Sequence, residues 1–157
     1  MAQTYATIEN LVLEKAPSGG EPLVFDEGDY GIWEAKVLNG DSRFDIYLEV
    51  GFGYKEGTVF SFLSSSEQTI GWPLPGEVIL PFGEIECTRD VVDAAINGKD
   101  ILFLAVCGHD TGAGIVIDSS YSINVAIKKP ENGNGNGKIN WTTLIIIAVI
   151  AYALMEL

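Results

Sequence analysis

Phe44-Asp45-Ile46-Tyr47-Leu48-Glu49-Val50-Gly51-Phe52 alternates apolar and polar residues over most of its length. Successive side chains on a strand point to opposite faces, so Phe44, Ile46, Leu48, Val50 and Phe52 line a core while Asp45, Tyr47 and Glu49 face water. A helix would instead need apolar positions recurring at three and four. Just upstream, Ile32, Glu34, Lys36 and Leu38 alternate with Trp33, Ala35 and Val37, and Trp33 is the inward anchor.

Working outward, short runs of this kind recur at Tyr5 to Leu13, Pro22 to Phe25, Gly31 to Leu38, Thr58 to Leu63, Glu77 to Leu80, Ile85 to Thr88, Ile101 to Cys107, Gly114 to Ile117 and Tyr121 to Ile127. Between them lie Ser18-Gly19-Gly20, Asn39-Gly40-Asp41, Lys55-Glu56-Gly57, Pro75-Gly76 and Asp118-Ser119-Ser120, all of which favour chain reversal. Strands at this close spacing predict an all-β fold, a single antiparallel β-sandwich over residues 1–129. The pattern resembles the immunoglobulin-like and jelly-roll superfolds in architecture alone, and those superfolds host many functions.

Ile101-Leu-Phe-Leu-Ala-Val-Cys107 is apolar on both faces and marks a central strand with a covered second side. One helix is predicted in the body, Thr88 to Asn97, with Asp90 in its first turn and Gly98 as its stop. That helix or an interaction partner would supply the cover.

Beyond the body, Lys129-Pro-Glu-Asn-Gly-Asn-Gly-Asn-Gly-Lys138 repeats Asn and Gly, a composition that admits positive φ and packs against nothing. Residues 130–140 read as a flexible linker with a root-mean-square reach of roughly 15 to 18 Å. Residues 141–157 follow as a transmembrane anchor. Thr142 to Met155 carries no charge, Gly or Pro, and Trp141, Leu144, Ile145, Ile146, Ile147, Val149, Ile150, Tyr152 and Leu154 are its membrane-facing residues. From Trp141 to Met155 a helix would run roughly 22 Å, short of the ~30 Å hydrocarbon core, so the span calls for local thinning or helix association. Lys128, Lys129 and Lys138 precede the anchor, and no basic, apolar leader is visible at the N-terminus. The positive-inside rule then keeps the domain on the side of its synthesis, in the cytosol or in a virion, as a single-pass, tail-anchored protein.

Charge narrows the partners. Twenty-two acidic residues oppose nine basic ones for a net charge of −13, and arginine occurs only at Arg43 and Arg89. Phosphate recognition draws on clustered Lys and Arg, so no nucleic-acid partner is expected. The acidic body should also be repelled by anionic lipid headgroups and point away from the bilayer.

No phosphate loop, dinucleotide fingerprint, zinc-spaced Cys and His set or nucleophile elbow is present. Cys107-Gly108-His109-Asp110 places a thiol, the sole imidazole and a carboxylate together, but a thiol in an apolar strand serves as a small hydrophobe, and no catalytic residue is assigned. Cys87 and Cys107 could form a disulfide if their strands were adjacent, but free thiols are the default in a domain made in the cytosol. The acidic loops Asp26-Glu27-Gly28-Asp29 and Gly40-Asp41-Ser42-Arg43-Phe44-Asp45 lack calcium-loop spacing, and neither metal nor cofactor is expected. Trp72 and Phe82, in a stretch rich in Pro and aromatics, are the candidate partner-binding residues.

The expectation is a non-enzymatic structural or protein-interaction module with two partners, the lipid bilayer and a coat, scaffold or second copy. A minor capsid protein linking a protein shell to a bilayer fits this description. The alternative is a membrane-anchored, ligand-binding or adhesive domain that takes glycan, directly or through calcium.

Overall fold

The computed structural model describes residues 5–40, 45–70 and 76–130. Phe44, Trp72, linker residues 131–140 and the anchor lie outside the described residues. Among the described residues no helix is long and apolar enough to cross a membrane.

The chain forms β1 (Ala6–Ala16), β2 (Val24–Phe25), β3 (Tyr30–Asn39), β4 (Ile46–Glu56), β5 (Val59–Ile70), β6 (Val78–Ile79), β7 (Phe82–Glu86), α1 (Arg89–Ile96), β8 (Leu102–Asp110), β9 (Ile115–Asn124) and β10 (Ala126–Ile127). In the first sheet β3 pairs with β1 on one edge and with β6 and β7 end to end on the other, all antiparallel. The second sheet runs β5-β4-β8-β9, also antiparallel. A short parallel pair joins β2 to β10.

One core lies between the sheets. Trp33, Ala35 and Val37 of β3 meet Ile46, Leu48, Val50 and Phe52 of β4, with Phe103, Ala105 and Cys107 of β8 beside them. Both alternating strands therefore point as their sequence predicts. Phe52 is held edge-on by Phe25 and Phe103, with ring centroids 5.0 and 5.1 Å away, a geometry that suits the aromatic quadrupole.

Three expectations need correction. The strand read as ending at Leu63 continues to Ile70. Its inward positions Ser64 and Gln68 donate to the carbonyls of Glu86 and Phe82 (2.7 and 3.4 Å), closing one side of the sandwich through polar bonds. Likewise, the turn read at Asp118-Ser119-Ser120 is strand. Residues 115–124 are continuous with a bulge at Asp118, and the chain reverses instead at Thr111 to Gly114, where Thr111 N–H donates to the Gly114 carbonyl. Here Ser119 Oγ accepts from the Ile8 amide at 3.1 Å and closes the opposite side against β1. Third, α1 buries Val91, Val92 and Ala95 in the core and does not cover the outer face of β8.

Candidate functional site

Leu104 and Val106 on β8 are buried, yet they point away from the core that Phe103, Ala105 and Cys107 face. Something else removes them from water. Across from Leu104 stands Gly51, and across from Leu102 stands Gly53, so β4 offers no side chain on this face at either position. A Cβ on Gly51 would collide with the Ser64 carbonyl and lie 2.5 Å from Ser65 Cα, so the backbone of β5 lies where that side chain would be. The register of β5 also shifts by one residue opposite Phe52 and Gly53, and such bulges sharpen local twist.

The result is an open depression of about 510 Å³ on the outer face of the second sheet. Phe60 and Phe62 of β5, Tyr47 of β4, Val106 of β8 and Ile115 and Ile117 of β9 form its apolar lining. Two carboxylates join them. Glu49 accepts from the Tyr47 hydroxyl at 2.7 Å and from Ser65 Oγ at 2.6 Å, and Glu67 lies directly opposite Glu49 in the β4–β5 register. Burial, then the hydrogen bond to Glu49 and the charges of Glu49 and Glu67, raise the Tyr47 hydroxyl well above the usual phenol range. The hydroxyl therefore stays a donor at any physiological pH.

Residues singled out in the sequence lie elsewhere. Phe82 opens β7 and pairs with Glu34, while its neighbour Gly83 packs on the Trp33 ring. Phe82 is thus on the outer face of the first sheet, 73% exposed, across the sandwich from the groove. Cys107 and His109 share the inner face of β8. Burial, followed by the charge of Asp118, pushes the Cys107 thiol up to about 12, and a protonated thiol is not a nucleophile. His109 bonds through Nδ1 to Asp118 at 2.9 Å beneath the Tyr5 ring, so its carboxylate is the one in the β9 bulge. Asp110 is exposed and accepts from the Gly112 amide in the reversal.

In the first acidic loop, Asp29 accepts from the Asp26 amide at 2.8 Å and Glu27 pairs with Arg89 at 3.2 Å. Among the described residues no three His, Cys, Asp or Glu side chains stand where they could hold a metal ion. Both cysteines are free and buried.

Only one sequence signal pointed to the groove, the double-faced apolar run of β8. Phe60, Phe62, Glu67 and Ile117 could not be assigned to one surface from sequence, because the β5 bulge and the β8–β9 register bring them together.

No protein-family model matches the chain, and no curated protein matches its sequence. Among solved structures, the C-terminal domain of Wzt is similar with a TM-score of 0.54 and 12% identity, over 83% of this chain and 77% of that one. The sporulation control protein Spo0M from Bacillus subtilis aligns over 80% of this chain and 50% of its own, at 17% identity and a TM-score of 0.43. The CARDB domain of a Pyrococcus furiosus protein aligns over 82% and 100%, at 12% identity and a TM-score of 0.35. At these identities the likeness to the Wzt domain is one of fold, a β-sandwich built from antiparallel sheets.

Proposed function

We propose that this chain is a non-enzymatic β-sandwich binding module, held at a membrane by residues 141–157 through the 130–140 linker, that engages a protein partner through the outer face of β5-β4-β8-β9. The observation that carries the reading is the groove itself. A packed core accounts for one apolar face of β8, whereas aromatic and β-branched side chains gathered in a depression on the solvent face mark a surface that is covered in use. The unbroken apolar run Thr142 to Met155 supports the anchor, and the Asn and Gly repeat supports a domain free to reorient above it. A minor coat protein that joins a protein shell to an internal bilayer fits these parts, and a cellular tail-anchored adaptor uses the same mechanics.

The test is a photo-crosslinking residue placed at Phe62 in the full-length chain, followed by detergent extraction from its native source. An adduct with a coat or scaffold protein supports the proposal. Failure to crosslink any protein at Phe62, together with retention of the chain on a glycan array, replaces it with a ligand-binding or adhesive module.

A further inference from the structure

The groove contains a like-charge pair that the fold leaves unresolved. Glu49 and Glu67 face each other across β4 and β5, and like charges directly opposite destabilise a sheet. Tyr47 and Ser65 hold Glu49 with neutral donors, which orient the carboxylate without cancelling its charge. Among the described residues neither carboxylate is paired with a cation. Lys36, Arg89 and Lys99 pair with Glu9, Glu27, Asp93 and Glu56 instead. Lys55, further along β4, stands over the Phe60 ring at 5.4 Å, which shows that this ring accepts an ammonium.

Resting on the binding-module reading, we infer that the groove takes an extended, basic segment of the protein partner. A Lys or Arg side chain sits between Glu49 and Glu67, and the apolar side chains beside it pack on Phe62, Ile115 and Ile117. Charge complementarity selects this occupant. A second copy would bring the same two carboxylates and a net charge of −13 to the face, and an anionic headgroup or nucleic acid would be repelled. The extended form suits the site's shape, because its lining runs across the sheet from Phe60 and Phe62 on β5, past Tyr47 and Glu49 on β4, to Ile115 and Ile117 on β9.

The experiment titrates the full-length chain in detergent with two capped nine-residue peptides, one alternating Lys with Val and one alternating Glu with Val. The Lys peptide should bind at least tenfold more tightly than the Glu peptide. Changing both Glu49→Gln and Glu67→Gln should weaken the Lys peptide about five- to tenfold and flatten its salt dependence, as expected for partly exposed charge pairs beside aromatic rings. The melting temperature of that variant should hold or rise, since the repulsion is gone. Equal affinity for the two peptides, or unchanged affinity in the double variant, overturns the inference. A fall in melting temperature that accompanies lost binding also overturns it, because the carboxylates would then be structural. If neither peptide binds while the Phe62 crosslink still captures a coat or scaffold protein, the binding-module reading stands and the basic-segment inference fails. If both fail, both fall.

Discussion

Cys87 and Cys107 illustrate how burial decides residue chemistry. Each thiol is pushed up to about 12, chiefly by burial and then by nearby carboxylates, Asp29 for Cys87 and Asp118 for Cys107. At pH 8 the native chain should therefore react slowly with an aromatic disulfide reagent, and release both equivalents once unfolded in urea. Prompt reaction of the native chain would show that the inner face is open. The same shifts link stability to pH. An unfolded thiol titrates near ~8.5, so the unfolded chain loses its protons first, and stability should be intact below that pH and fall as pH rises toward 12. Urea midpoints measured between pH 8 and 11 check the sign. A second residue-scale prediction concerns glycine. Gly51→Ala drives a Cβ into the Ser64 backbone and should cost about 2 to 3 kcal/mol in urea unfolding. Gly57→Ala meets open space, and its φ of +64° should limit the loss to about 1 kcal/mol.

At the scale of elements, α1 has an unusual start. Thr88 is its N-cap, but the hydroxyl makes no capping bond and is buried without a partner. Replacing a working Thr cap typically costs about 1 kcal/mol. Thr88→Val should cost less than about 0.5 kcal/mol, because it removes a buried hydroxyl that holds nothing, and thermal unfolding of the variant checks this. The strands show which elements were legible in the sequence. β3 and β4 were read correctly because each faces a dry core on one side and water on the other, so burial wrote a period of two into the residues. The second half of β5 and the middle of β9 were missed because their inward side chains face the edge of the other sheet. Ser64, Gln68 and Ser119 bond to backbone groups on that edge, and polar residues in that role look like turn residues. Of the candidate site, only the two-faced β8 was legible. Its companions depend on a one-residue bulge and a cross-strand register, neither of which leaves a local signal.

For the whole molecule, the separation of an acidic body from an apolar tail gives the broadest prediction. The full-length chain should float with liposomes and resist carbonate extraction, whereas Ile146→Lys combined with Val149→Lys should release it to the soluble fraction without altering the melting of the body. Unchanged flotation of that variant would sink the anchor. Phe82→Ser, far from the groove and 73% exposed, should leave stability within about 0.5 kcal/mol of the parent and leave the Phe62 crosslink intact. By itself the sequence determined the all-β class, the inward faces of β3 and β4, the acid excess and the apolar tail, because each of these follows from composition or from a local period. Tertiary structure alone decided how the sides of the sandwich close, that His109 meets Asp118 in place of Asp110, and where Phe62, Glu67 and Ile117 share a surface with Glu49. Those contacts join residues far apart in the chain through bulges and strand register, and no local pattern encodes them.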